Sequence, residues 1–160
     1  MMGDNTRKVE ASVFNVLVAP SDQFYQSDQD RLVFGWDGLR NFMVLSSQVV
    51  GGSFSEANSI FFRITGVVAD DQERTYDLTV PLACSYWAWE SPKQTQYLPV
   101  SGELKLLLSE LDNKLTASFE FRAEKDGNVV VISKGVIEAS GLDNVGTVEN
   151  AINKWVKLKA

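Results

Sequence analysis

Residues 103–138, ELKLLLSELDNKLTASFEFRAEKDGNVVVISKGVIE, decide the fold. Apolar and polar residues alternate there with period two, the signature of strands with one buried face. Asp112-Asn113 and Asp126-Gly127 stand where two-residue hairpin turns belong, because both pairs tolerate the positive φ such turns require. A turn at Asp112-Asn113 pairs Leu111 with Lys114 and, counting outward, Leu108 with Ala117 and Leu106 with Phe119. A turn at Asp126-Gly127 pairs Lys125 with Asn128, and hence Phe121 with Ile132. Both registers gather Leu104, Leu106, Leu108, Leu115, Ala117, Phe119, Phe121, Val130 and Ile132 on one face. The other face carries Lys105, Ser109, Thr116, Ser118, Glu120 and Arg122, and is wet. Leu107, Val129 and Val131 interrupt it, which predicts a cover over them.

Working outward, further alternating runs lie between turn signals. The first covers 8–18 and is ended by Pro20, and a polar loop over 21–31 follows. Runs over 32–36 and 39–49 are joined by Asp37-Gly38, and Gly51-Gly52 opens another loop. Residues 59–69 and 74–83 are expected to form a hairpin across Asp70-Asp71-Gln72-Glu73. Over 147–159, Val148, Ala151, Ile152, Trp155, Val156 and Leu158 fall on one helical stripe. Thr147 can cap its start, and Lys154, Lys157 and Lys159 suit the negative end of the helix dipole. The alternative is a last strand over 154–158. The pattern thus predicts one soluble all-β domain over 1–160. Its expected form is an antiparallel β-sandwich, or alternatively a flattened β-barrel, with a disordered tail over 1–7 and a C-terminal α-helix over 147–159.

One resemblance belongs to the same stretch. Gly102, the turn Asp112-Asn113-Lys114, the aromatic strand with Phe119 and Phe121, and the ending Ile132 to Gly135 resemble the terminal hairpins of small uncharacterised bacterial β-sandwich domains of envelope proteins. Ala117-Ser118 stand where that pattern has a glycine. The resemblance implies a sandwich fold and export, and carries no functional residues.

Composition removes more chemistry than it suggests. The 160 residues are 44% hydrophobic and 22% charged, enough for a proper core. Fifteen basic against 21 acidic residues give a net charge of −6, which repels phosphate backbones and argues against a nucleic-acid partner. Histidine is absent. This excludes Ser-His-Asp and Cys-His nucleophilic catalysis, histidine general bases and histidine-ligated metals. Cys84 is the lone cysteine, so no internal disulfide forms, which favours a reducing compartment. It ends an apolar run with no base to activate it and reads as a core thiol. No run approaches the ~18 apolar residues of a membrane span. The polar start over 1–8 has no apolar signal core. The sequence as given therefore reads as cytoplasmic, or as exported if a signal peptide has been removed.

The segment around Tyr86-Trp87-Ala88-Trp89-Glu90, continuing to Tyr97, holds two of four tryptophans and two of four tyrosines. Pro81, Pro92 and Pro99 break it, so it is expected to be at least partly a loop. Aromatic faces beside Glu90, Gln94 and Gln96 are what sugar rings or planar ligands stack upon. Alternatively, Trp87 and Trp89 share one strand face and fill the core. The acidic groups Asp22, Asp28, Asp30 and Asp70, Asp71, Glu73 match no calcium-loop spacing, and no pair of acids is singled out for glycoside hydrolysis. The expectation is a non-enzymatic binding module with no catalytic residue, no metal and no cofactor. Its small-molecule, glycan or protein ligand is contacted through Tyr86, Trp87, Trp89, Glu90 and Tyr97. The alternatives are a carboxylate-based glycoside hydrolase, and a structural component, such as a homo-oligomer, that assembles through a sheet edge.

Overall fold

The computed structural model describes residues 10–19, 23–26, 33–36, 41–52, 56–67, 71–109 and 114–140. Ten antiparallel strands run in chain order as β1 (Glu10–Ala19), β2 (Gln23–Gln26), β3 (Val33–Trp36), β4 (Asn41–Val49), β5 (Ala57–Thr65), β6 (Arg74–Asp77), β7 (Cys84–Glu90), β8 (Lys93–Ser109), β9 (Lys114–Lys125) and β10 (Asn128–Ser140). Their spatial order is β2-β1-β10-β9-β8-β7-β5-β4-β3, with β6 laid against β8. Among the described residues the path does not close on itself, and no helix is long and apolar enough to cross a membrane. The expected tail over 1–7 and helix over 147–159 lie outside the described residues.

The β8–β9–β10 ribbon follows the alternation read from the sequence. Leu104, Leu106, Leu108, Leu115, Phe119, Phe121 and Ile132 are buried together, with Ala117 and Val130 half-buried against them. Asp126 and Gly127 carry positive φ of 51° and 83°, and Lys125 pairs with Asn128 and Phe121 with Ile132, as the turn demands. The β8–β9 register differs from expectation by two residues. Ser109 faces Lys114, Leu108 faces Leu115 and Leu106 faces Ala117. An even shift exchanges partners yet keeps every side chain on its face, which is why the buried set survives. Leu107 is half-buried, and Val131 is exposed.

Farther along β10 the face inverts. Ile132 pairs with Phe121, but the next pair is Gly135 with Phe119, leaving one extra residue in β10. Lys134 occupies this bulge at a φ of 56°. The core side therefore passes from Ile132 to Gly135, Ile137 and Ala139. A Cβ on Gly135 would meet the Phe119 ring at 2.5 Å, so the glycine is what lets that ring lie across the strand.

Strand β8 turns the corner. Its first five residues, up to Tyr97, pair with β7, whereas Leu98 to Ser109 pair with β9. Between them Pro99 lacks an amide hydrogen, a bulge separates Pro99 from Ser101, and Gly102 has a φ of 139°. A Cβ on Gly102 would sit 2.4 Å from that of Phe121. Beyond the bend the two sections of the sheet face one another across one core. Phe62 of β5 stands edge-on to Phe119 of β9, with ring centroids 4.9 Å apart. Tyr25 of β2 reaches Ser46 of β4 by a buried 2.8 Å hydrogen bond.

Three local expectations are corrected. Residues 59–69 and 74–83 do not form a hairpin: β5 pairs with β4 and β7, whereas β6 pairs with β8. The run over 74–83 also stops at Asp77. The Asp77 carboxylate accepts the Thr79 amide at 2.8 Å and its hydroxyl at 2.7 Å, a local turn that competes with the ladder. Val80 and Leu82 are then left exposed. Finally, the expected polar loop over 21–31 contains β2, whose Tyr25 is buried. Four residues are too short a run to show period two.

Candidate functional site

The aromatic segment is a strand hairpin, which corrects the expectation of a loop. Glu90 pairs with Lys93 across a turn at Ser91-Pro92, so Pro92 falls in the turn, while Pro99 falls in the β8 bend. Pro81 precedes β7 altogether. Pro81 and Pro92 lie outside the strands, and Pro99 sits at the bulge inside β8. Alternation then sends the aromatic residues to opposite faces.

Tyr86, Ala88 and Glu90 point to one side. Tyr86 joins the core cluster and stands opposite Tyr97 of β8, ring centroids 5.9 Å apart and tilted by 38°. These residues form one wall of a cleft of about 430 Å³. The other walls are Val18 and Ala19 of β1, and Asn128, Val129 and Val130 at the start of β10. The Tyr97 hydroxyl donates to Glu90 Oε2 at 2.6 Å. Tyr97 is buried, whereas Glu90, which its hydroxyl reaches, is exposed. That hydrogen bond, followed by desolvation and the charge of Glu90, pushes the Tyr97 phenol up to about 12. Tyr86 is likewise pushed up to about 12, first by burial and then by Tyr97 and Glu90. Both phenols therefore stay neutral at physiological pH.

Ser85, Trp87 and Trp89 point the other way. Trp87 and Trp89 are half-buried and belong neither to the core cluster nor to the residues packed on it. The Trp87 indole N–H donates to Ser85 Oγ at 3.1 Å, which holds the ring along the strand. Gln96 lies cross-strand from Trp87, and Gln94 from Trp89. Where the β5–β7 ladder ends, two side chains extend it. Asn58 Oδ1 accepts the Trp89 amide at 2.7 Å, and Gln94 Nε2 donates to the Ala57 carbonyl at 2.7 Å. The tip of the hairpin is thus anchored on both strands.

Sequence reasoning named the five side chains of the hairpin but not their division between two faces. It also missed Asn58, which anchors the hairpin, and Val18, Ala19, Asn128 and Val130, which complete the cleft. The interruption of the wet face at Val129 was the one signal of that wall. Cys84 is buried, and desolvation pushes its thiol well above the ordinary range, as an unreactive core group. Asp22, Asp28, Asp30 and Asp70 lie outside the described residues; among those described, no three acidic or cysteine side chains converge as a metal would need. Glu103 and Glu120 stand directly opposite each other on the exposed face of β8 and β9. No family model matches the chain, and no curated protein and no solved structure matches it.

Proposed function

We propose that this chain is a non-enzymatic binding module of β-sandwich architecture that takes a glycan on the outward face of the β7–β8 hairpin. The observation that carries the reading is the pair Trp87 and Trp89. They sit two residues apart on one strand, half-exposed and outside the core, with a glutamine opposite each. Two residues of strand span about 7 Å, so the indoles offer adjacent stacking platforms. Glutamine amides beside them can both donate to and accept from sugar hydroxyls. Two half-buried indoles outside the core cluster, beside polar side chains, are groups a sugar ring can stack on.

The test is a glycan array read out by binding, followed by titration of a positive glycan against intrinsic tryptophan fluorescence. Trp87→Ala and Trp89→Ala are each expected to weaken binding several-fold, since one stacked aromatic contributes about 1 kcal/mol beyond its buried area. An array with no positive glycan, or single variants that bind like the parent, overturns the reading.

The hydrolase alternative has one anchor, the opposed carboxylates Glu103 and Glu120. Cross-strand neighbours lie about 5 Å apart at Cβ, near the carboxyl separation of retaining glycosidases. Both are exposed, and they stand on β8 and β9 rather than on β7 with the tryptophans. Turnover of a glycan that is abolished by Glu103→Gln and by Glu120→Gln would replace the binding reading. Assembly through a sheet edge gains no support from β2 and β3, the four-residue strands that end the path, because short edges offer little backbone to pair with.

A further inference from the structure

We infer that the cleft on the inward face of the same hairpin binds a small organic cation, its charge held by Glu90 beside the hydroxyl of Tyr97. This site is separate from the tryptophan face and does not depend on glycan binding there.

The chemistry of the walls selects the ligand. A cleft of about 430 Å³ is the size that takes a small molecule rather than a single water or ion. Apart from Glu90, its lining carries no charge. An anionic ligand would meet that carboxylate, on a chain of net charge −6, with no cation in the lining to offset it. A bare metal ion would need about six oxygen ligands, and the lining offers one carboxylate, one amide and two phenols among valines and alanines. An organic cation suits both halves of the site. Its apolar substituents match Val18, Ala88, Val129 and Val130, and its charge meets the Glu90 carboxylate.

The carboxylate is also prepared for this. Glu90 uses Oε2 to accept from Tyr97 and makes no ion pair with any described residue, although Lys93 lies opposite it in the register. The phenol hydrogen bond therefore orients the acid without neutralising it. Because Tyr97 remains protonated well above physiological pH, it keeps donating and adds no second negative charge.

Choline is a suitable probe, compared with its neutral tert-butyl isostere, in which carbon replaces the quaternary nitrogen. Titration of the full chain, followed by calorimetry and by the NMR signals of the cleft residues, is expected to show choline bound and the isostere about tenfold weaker. Glu90→Gln, an exposed and nearly isosteric change, should lower choline affinity about tenfold and remove the preference over the isostere. Tyr97→Phe keeps the ring but frees the carboxylate, and should cost a few-fold. No choline binding, equal binding of the isostere, or full affinity in Glu90→Gln would each overturn the proposal. Glycan binding measured on the same Glu90→Gln protein should be unchanged. Failure of the cation site and failure of the tryptophan face can therefore be told apart.

Discussion

Strand β7 places similar residues on two faces with opposite fates. Tyr86 packs into the core and, with Tyr97, lines a cleft, whereas Trp87 and Trp89, its neighbours in sequence, stand outside the core. Composition treats all four as large aromatics. Strand parity, fixed by the pairing of Tyr86 with Tyr97 and of Trp87 with Gln96, separates them. Local aromatic density is therefore a poor guide to function by itself. The side of the strand on which each ring falls carries the information.

That comparison can be broken at several strengths. The largest effect is expected inside the core on which Tyr86 rests. Phe121→Ala removes a ring edge-on to Phe62, with centroids 6.4 Å apart, and should destabilise the fold by about 3–5 kcal/mol in denaturant unfolding. A cost near zero would mean that the two sections do not share this core. Next, Gly135→Ala must push a Cβ into the Phe119 ring and should cost about 1–3 kcal/mol, as overpacking does. A neutral result would contradict the bulged register of β10.

The inward tyrosines also predict a pH dependence that the outward tryptophans cannot produce. Their phenols rise from 10 to about 12 on folding, so the neutral forms are favoured in the folded state. Their contribution is fully present below pH 10 and is lost as pH climbs through about 12. Unfolding free energy should fall across that window, and the fall should be shallower in Tyr86→Phe and Tyr97→Phe. An unchanged slope in both variants would break the assignment. The smallest stability effect is expected on the outer face. Trp87→Ala and Trp89→Ala should each cost only about 1 kcal/mol or less, with their main effect on ligand binding.

Much of the fold was legible because β8, β9 and β10 are long and alternate cleanly. The buried set from Leu104 to Ile132 follows from period two alone, and Asp126-Gly127 fixes its turn by backbone chemistry. The β8–β9 register slipped because a shift of two leaves no trace in the alternation. The bulge at Lys134 had no signal in side-chain pattern, since it depends on one residue adopting a positive φ. The position of β6 was hidden for another reason. Its partner is decided by the bend of β8 some twenty-five residues later, which is tertiary information. At the site, residue types were readable and the facing was not. Three prolines suggested a loop, whereas Pro81 precedes β7, Pro92 makes the hairpin turn and Pro99 marks the bend within β8.

Trp87 and Trp89 lie on the face of β7 opposite to the one that carries Tyr86. Iodide quenching of tryptophan fluorescence tests it most directly, comparing the parent with the Trp87→Phe/Trp89→Phe double variant. Iodide is charged and reaches only indoles open to solvent. The account predicts that the quenchable part of the emission drops sharply in the double variant, which keeps its fold. Equal quenching in the two proteins would show that these tryptophans are closed to solvent, and would contradict the outward face.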